Sequence, residues 1–451
     1  MEMLANFVKE HFLGATISLM SLLQSWNYYL DWRQRKLLQR LVDFPKSVEG
    51  IMTKDTYEKA RAYALDENSF GIVTNIHSDV INVILLLAYG PYFIWQWSVE
   101  IAKHCNLDYE NEILISPIYA TVVNLISTLL NLPLAIYDVF VLEEKHGFNK
   151  QTAWFFIKDM IKQFLVFELI MSPILSLIVW ITKNGGNYFY LYLWMLIVVF
   201  TLLLMVIYPG VIAPLFDKYT PLPDGELKQK IEELAASLKF PLQKLFVVEN
   251  SMRSTHSNAY MYGFHKHKRI VLFDTLIKGY RKKNDSDEDE DKNNDKGCDT
   301  NEILAVLAHE LGHWKHNHTI KIFIFAQIFV AINILMFAKL MGNSLMYRAF
   351  GFIDCQPILI GFMIVITYIM IPLNTIIGFI TVIAQRKFEF QADKFAATLG
   401  HGHCLKTSLL KLQKDNLEFP LYDKLYSTWH HSHPPIIERI EAISEIIRKE
   451  N

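Results

Sequence analysis

Seven stretches of apolar sequence dominate the chain, and each is long enough to cross a lipid bilayer as a helix. A membrane-spanning helix needs about 20 residues. The stretches run from 12 to 30, 80 to 102, 112 to 141, 163 to 182, 188 to 208, 320 to 342 and 357 to 384. Charged residues make up only 20% of the chain, below the roughly 25% of soluble proteins. We therefore predict a mainly α-helical, polytopic membrane protein with seven transmembrane helices.

Lysine and arginine residues are concentrated in the odd-numbered connections between these stretches. Eight follow the first stretch and four follow the third, whereas the even-numbered connections hold Lys103, Lys183 and Arg348. The positive-inside bias predicts that the odd connections and the C-terminus are cytosolic. Two large polar parts, 209–319 and 385–451, then lie on the same side of the membrane and can form one domain.

The chain divides accordingly into four parts: 1–208 with five spans, polar part 209–319, 320–384 with two spans, and polar part 385–451. In the first polar part, three short segments are rich in Val, Ile, Phe and Tyr, as strands are. They are 244–249, 258–264 and 269–273. We predict a small antiparallel sheet.

An acidic segment, 282–299, contains almost no apolar residue. Such a segment buries too little apolar surface to offset its ordering entropy, so we predict a disordered loop. A calcium site is the alternative interpretation of its acids, but the EF-hand spacing with its central Gly and terminal Glu is absent.

Charge and cysteine content exclude further classes. The 44 basic and 46 acidic residues give a net charge of -2, which offers no basic field for nucleic acid. The four cysteines lie far apart without CxxC spacing, so neither a disulfide framework nor a cysteine zinc module is indicated. A metal site in this chain would use nitrogen and oxygen ligands.

The strongest chemical signal is the sequence HELGH at 309–313, inside a helical pattern that starts near Thr300, a candidate N-cap. Positions i and i+4 share one face of an α-helix, so His309 and His313 can present two imidazole nitrogens to one zinc ion. Glu310 is then the general base for the attacking water. This is the arrangement of a metallopeptidase.

A third ligand must come from elsewhere in the chain. A metzincin continuation would need Gly at 316 and His at 319, but the chain has His316 and Thr319. In a later helical stretch, Glu389 and Asp393 share a face. Glu389 would complete a His2Glu site, and Asp393 would accept the second ring N–H of a histidine ligand. The alternative is that this pair lies on a solvated helix face.

A histidine-rich segment at 429–435 precedes the last helical stretch. His433, if close to the zinc, would stabilise the oxyanion of a tetrahedral intermediate; otherwise these histidines are polar loop residues. Weaker metal candidates are His316, His318 and the cluster at 401–404. We predict that the first two lie on the polar surface of the metal helix, and the spacing of the third matches no zinc module.

Together these motifs resemble the type I CAAX prenyl proteases, integral-membrane zinc endopeptidases of the endoplasmic reticulum and inner nuclear membrane. The matching segments cover almost the whole chain and are 144–149, 212–219, 257–260, 309–313, 389–393 and 432–435. In the family, a serine commonly stands before the arginine of the motif around 389–393; the residue at that position here is Gln385. The acidic loop has no counterpart among the family motifs. The resemblance implies seven helices around a large chamber, a cytosolic zinc metalloprotease domain, and farnesylated CAAX peptides as substrates.

The resemblance also implies roles for single residues. These are one zinc bound by His309, His313 and Glu389, the general base Glu310, and His433 on the oxyanion side. Asn258 is assigned to substrate binding, where an edge strand would receive the peptide by strand addition; without the resemblance, an ordinary strand is the simpler interpretation. Arg439 is likewise placed beside the site, as a substrate-binding residue.

The resulting hypothesis is a zinc endopeptidase of the endoplasmic reticulum membrane that removes the last three residues of prenylated proteins. A second, upstream cleavage stays open. A membrane quality-control zinc protease with unprenylated clients is the alternative. A seven-helix receptor or transporter is disfavoured, because it has no need of the zinc motifs and Glu310, and the spans lack the ionisable pairs of ion pathways. The predicted partners are farnesylated CAAX proteins and the lipid bilayer, with no nucleic acid.

Overall fold

The structure is a computed structural model, and it describes residues 2–249, 253–263, 268–280 and 296–450. Most of the acidic segment 282–299 lies outside the described residues, and its disorder therefore stays a prediction.

Helices form most of the described chain. In the first part they are α1 (Glu2–Arg40), α2 (Lys54–Leu87), α3 (Gly90–His104), α4 (Glu112–Tyr137), α5 (Ala153–Asn184), α6 (Phe189–Ile207), α7 (Ala213–Phe216) and α8 (Glu226–Ser237). After the sheet follow α9 (Thr300–Lys315), α10 (His318–Leu340), α11 (Ser344–Ala349), α12 (Ile358–Ile364), α13 (Ile371–Ala396), α14 (Gly402–Asp415), α15 (Lys424–His430) and α16 (Ile436–Glu450). Wider π-helical turns continue α4, α6, α12 and α13.

Among the described residues, five helices are long and apolar enough to cross a membrane. They cover Lys54–Leu87, Glu112–Glu143, Ala153–Asn184, Gly186–Phe216 and His318–Leu340. A sixth candidate is the pair Ile358–Ile369 and Ile371–Asp415, bent by 62°. Helix α1 is not among them, because polar residues such as Gln24 and Asn27 interrupt its apolar sequence. The seventh span therefore stays a prediction.

The spans pack sparsely against one another. In the most apolar window of each of the five, only 6% to 22% of the residues are buried within the protein. A helix in a solid bundle buries a whole apolar stripe. Most span residues therefore keep part of their surface open to lipid or to space between the helices.

The predicted span 80–102 is wrong as a single helix. Helix α2 ends at Leu87 and α3 begins at Gly90. Between them Tyr89 adopts a left-handed φ of 52°, and Pro91 stands in the first turn of α3, where its missing N–H has no partner to lose. The apolar sequence therefore belongs to two helices.

The polar portion holds a four-stranded sheet in the order β1-β2-β4-β3. Its strands are β1 (Tyr219–Pro221), β2 (Leu242–Val248), β3 (Ala259–Tyr262) and β4 (Lys268–Phe273). The prediction of an antiparallel sheet is wrong, because β2 and β4 are parallel while the outer pairs are antiparallel. The chain crosses from β2 to the far edge, forms β3, and returns as β4 into the gap. Strand β3 is consequently an edge strand.

The two polar parts pack against each other although spans separate them in sequence. Ala305 and Ala308 of α9 form one buried cluster with Ala396, Leu405 and Ile443 from the last part of the chain. The small alanine side chains let α9 and α13 approach closely. The HELGH helix therefore lies beside the helix that carries Glu389.

Candidate metal site

Helix α9 begins with a capping box. The Asp299 side chain accepts from the backbone of the third helical residue, and the Glu302 side chain accepts the Asp299 N–H at 2.8 Å. The N-cap is thus Asp299, and the prediction of Thr300 is wrong by one residue. The reciprocal bonds fix the start of the helix that carries both histidines.

Three side chains converge in the pattern of metal ligands. The Nε2 atoms of His309 and His313 are 3.2 Å apart. Glu389 places Oε2 3.4 Å from His309 Nε2 and Oε1 3.3 Å from His313 Nε2. In the described residues these three form a group that could hold a metal ion.

The spacing of these atoms fits a zinc ion. In a tetrahedral site with bonds of about 2.0–2.1 Å, neighbouring ligand atoms lie about 3.3–3.4 Å apart, close to the separations observed. Glu389 Oε2 is buried, and the histidine nitrogens nearest to it, at 2.9 Å on His433 and 3.4 Å on His309, do not meet it in hydrogen-bond geometry; a cation at this position would satisfy the oxygen. Two imidazoles and one carboxylate are a zinc ligand set with an open fourth position.

Asp393 and Arg439 hold His309 in place. His309 Nδ1 lies 2.8 Å from Asp393 Oδ1, so the opposite nitrogen faces the metal position. Arg439 donates two hydrogen bonds to Asp393, at 2.7 and 2.8 Å. Burial alone would lower the pKa of His309, but the carboxylates of Asp393 and Glu389 beside it outweigh burial and raise that pKa to about 9.

Arg439 is only 8% exposed; its Nε and Nη2 donate to Asp393, and its Nη1 lies 3.7 Å from Glu389 Oε2. This geometry favours support of the ligand shell over the predicted contact with substrate.

His318 holds His313 in the same way, which the sequence analysis missed. His313 Nδ1 lies 2.9 Å from His318 Nδ1, and His318 Nε2 lies 2.9 Å from the Gln391 oxygen. Because that oxygen accepts, His318 carries its proton on Nε2 and accepts from His313, whose Nε2 is left free. His318 is 2% exposed and stacks on Phe388 at 4.2 Å. The prediction that His318 lies on the polar surface is wrong.

Glu310 faces a cavity beside the three converging side chains. The cavity has a volume of about 910 Å³, and Glu310 and His313 form part of its wall. Burial raises the pKa of Glu310 above its usual value, while the neighbouring histidines act in the opposite direction. A general base works best when its pKa approaches the working pH.

His433 also reaches the site. Its Nδ1 lies 2.9 Å from Glu389 Oε2. The neighbouring His431 packs edge-on against Tyr422 at 4.4 Å. Burial is the main cause that lowers the pKa of His431 to about 4, so His431 is neutral near pH 7.

Edge strand β3 lines the same cavity. Tyr260, Met261 and Tyr262 face it together with Glu310 and His313. Asn258 is exposed and immediately precedes β3; its carbonyl accepts from Phe273 in β4. The free edge of the sheet is therefore beside the site.

Gly312 sets the spacing of α9 and α13. A Cβ atom at Gly312 would lie 3.0 Å from Ala392 Cα and 3.2 Å from the Ala392 carbonyl oxygen. We expect Gly312→Ala to force the two helices apart at a cost of about 1–3 kcal/mol, lowering both the melting temperature and the metal affinity. Thermal unfolding and metal titration in detergent measure these quantities.

Gly378→Ala is the matched control, because a Cβ at Gly378 in α13 would meet no atom within 4 Å. It should leave both quantities nearly unchanged. Equal behaviour of the two variants would contradict the close-approach argument.

A polytopic helical chain that holds two imidazoles, a carboxylate and a half-buried glutamate in this arrangement is an integral-membrane metallopeptidase. Its sequence matches the CAAX prenyl protease N-terminal domain with five membrane helices over residues 34–218, and peptidase family M48 over 221–447. The chain belongs to peptidase family M48.

Similar proteins match over nearly the whole chain. CAAX prenyl protease 1 homologs from Mus musculus and Homo sapiens are each 43% identical to it over 96% of both sequences. The Arabidopsis thaliana homolog is 44% identical over 96% of this chain and 97% of its own. A crystal structure of S. mikatae Ste24p matches with a TM-score of 0.85 and 35% identity, covering 96% of this chain and 99% of that one.

Proposed function

We propose that this chain is a zinc-dependent membrane endopeptidase that removes the last three residues of farnesylated CAAX proteins. The observation that carries the proposal is the convergence of His309, His313 and Glu389 beside Glu310 and a free strand edge. Its similarity to the CAAX prenyl protease 1 homologs, which extends over nearly the full length, supports the same substrate class. A second, upstream cleavage is compatible with an endopeptidase.

His309, His313 and Glu389 would hold one zinc ion per chain, with Asp393 orienting the first histidine. When bound, zinc acts as a Lewis acid toward the scissile carbonyl and the attacking water. The carboxylate of Glu310 takes a proton from that water. It then delivers the proton to the leaving amine, so that the carboxylate is regenerated.

His433 stabilises the negative charge that develops on the scissile carbonyl oxygen. Its Nε2 is the ring nitrogen left for this task, because Nδ1 lies against Glu389. A donor placed for the oxyanion contributes in the transition state rather than in the ground state.

The peptide binds by adding a strand to β3. Main-chain hydrogen bonds to the free edge would hold the scissile bond beside Glu310, and Asn258 at the start of the strand would add a side-chain contact. Arg439 acts through the ligand residues in this proposal, because its Nε and Nη2 donate to Asp393 and its Nη1 lies 3.7 Å from Glu389 Oε2.

The apolar wall of the cavity suits the prenyl chain. Leu204, Met205 and Tyr208 at the end of the α6 span and Ile320 and Ile322 of α10 line it. Sparse packing of the spans fits the predicted large chamber, which would offer further apolar surface.

Seven spans complete the proposed topology: the five helices, the bent pair and α1. The catalytic portions, 209–319 and 385–451, and the C-terminus face the cytosol by the positive-inside bias. The endoplasmic reticulum membrane, and also the inner nuclear membrane, are the proposed locations.

The enzyme should prefer farnesylated to unprenylated CAAX peptides. Full burial of about 15 carbons at about 0.8 kcal/mol each would give roughly 12 kcal/mol, but association and ordering consume most of this. We expect about 3 kcal/mol, or roughly 10²-fold in kcat/KM. Most of it should appear in KM, because the lipid binds ground and transition states alike. Steady-state kinetics on matched peptides measures it.

Equal kcat/KM for the two peptides would contradict the prenyl-protease proposal. A preference for unfolded, unprenylated membrane proteins would favour a quality-control protease with the same metal site.

A further inference from the structure

His433 is positioned by its main chain more than by its own packing. Its side chain is 68% exposed although its Nδ1 lies 2.9 Å from Glu389. A functional side chain holds its geometry only when surrounding contacts fix it. The segment between α15 and α16 must therefore be fastened to the rest of the site.

Arg386 of α13 makes contacts with both sides of this segment. Its Nη1 donates to the Ser427 carbonyl at 3.3 Å, to the Ser427 hydroxyl at 3.2 Å and to the His431 carbonyl at 3.5 Å. Its Nη2 donates to Glu438 of α16 at 3.0 Å. One planar guanidinium thus joins the end of α15, the His433 segment and the start of α16.

The contacts are largely shielded from solvent. The Ser427 carbonyl also accepts the backbone N–H of His431 at 3.0 Å, so Arg386 reinforces a turn that α15 already closes. The His431 carbonyl lies just beyond the helix, where carbonyls lack partners within the helix and an arginine can supply them. The Arg386 side chain is 14% exposed and Ser427 is 2% exposed. Trp429 of α15 also stacks on Phe379 of α13 at 4.7 Å, so α15 lies firmly along α13.

Helix α13 also carries Glu389, one turn after Arg386. Residues three positions apart lie on neighbouring parts of one helix face. The same rigid helix thus places the carboxylate of the metal site and the guanidinium that fastens the His433 segment.

We propose that Arg386 is a positioning residue that holds His433 at the oxyanion side of the active site. This inference rests on the proposed role of His433. The hydrogen bonds of Arg386 go to Ser427, His431 and Glu438, and Arg386 does not line the cavity. It therefore acts through the main chain at 427–431.

The test is a double-mutant cycle with Arg386→Lys and His433→Ala on the full-length protein and a farnesylated peptide. Lysine keeps the charge but loses the planar fork that reaches several acceptors at once. We expect kcat to fall about 10-fold for Arg386→Lys and about 10²-fold for His433→Ala, with KM changed less than about 3-fold in each. The double variant should match His433→Ala alone within about 2-fold, because both changes remove one contribution.

Two further measurements separate positioning from general damage. Metal content should stay at wild-type level in Arg386→Lys, whereas hydrogen exchange of the amides at 427–433 should speed up. Lys387→Gln is the matched control, since Lys387 is the exposed neighbour on the same helix, and it should change neither exchange nor kcat.

Three results would overturn the inference. They are losses of kcat that multiply in the double variant, an effect of Arg386→Lys on KM alone, and loss of metal from Arg386→Lys. If Arg386→Lys does not yield folded protein, Ser427→Ala replaces it; removing one of the acceptors should lower kcat about 3-fold, and only when His433 is present. Wild-type kcat in His433→Ala would defeat the proposed role of His433 itself. A normal kcat in Arg386→Lys beside an impaired His433→Ala would defeat the inference alone.

Discussion

Glu310→Gln should abolish most turnover while the protein keeps its metal. Glutamine has the shape of glutamate, but its amide nitrogen cannot accept a proton from the attacking water. General-base loss of this kind costs about 10²–10⁴-fold in kcat. Metal content should be unchanged, because Glu310 is not among the three converging side chains. Steady-state kinetics and metal analysis on the same preparation measure both quantities.

The matched control for this variant is Glu441→Gln, an exposed glutamate on α16. It removes the same charge away from the cavity and should leave kcat unchanged. Near wild-type turnover in Glu310→Gln would refute the general-base role. Loss of metal in the same variant would show that Glu310 supports the metal site instead.

Glu389→Ala should release the metal. Two imidazoles remain after the substitution, and a zinc site with its carboxylate removed loses one of three protein ligands. Even loss of a residue that only orients a ligand costs 10- to 100-fold in affinity, so we expect a loss of about 10²-fold or more. Dialysis against a graded chelator followed by metal analysis measures the affinity, and peptide cleavage should be lost in parallel.

Glu445→Ala, at an exposed position of α16, is the control for removal of a carboxylate. Full metal occupancy with wild-type affinity in Glu389→Ala would remove Glu389 from the ligand set. The third ligand would then have to come from another part of the chain.

The sequence predicts the local parts of the site well, because they depend on helix periodicity alone. The spacing of His309 and His313 places both on one face of α9, and Glu389 and Asp393 repeat that spacing on α13. That the two faces meet follows from tertiary packing of small residues such as Gly312, which no local pattern reveals.

Residues that act through distant contacts were harder to predict. His318 belongs to the site because Gln391 accepts its proton and Phe388 covers its ring, and both partners lie three helices later, on α13. Arg439 was placed beside the site, but its bond to Asp393 could not be read from a terminal amphipathic helix.

The fold shows the same limit. The apolar segments that became β2, β3 and β4 were located within about two residues, whereas the parallel pairing of β2 with β4 depends on the crossover between strands. Strand β1 has three residues and was not predicted, because so short a segment carries no periodicity. The break at Tyr89 is a single left-handed residue inside apolar sequence.

The arrangement of the ligands on α9 and α13 has a consequence for biosynthesis. A ribosome synthesises both histidines well before Glu389, and the apolar helices α10 and α12 must be placed between them. Until α13 has docked on α9, the nascent chain presents two imidazoles without their carboxylate, and His433 emerges later still. We therefore expect the growing polypeptide to be proteolytically silent throughout its insertion, and to become a peptidase only when its last helices are in place.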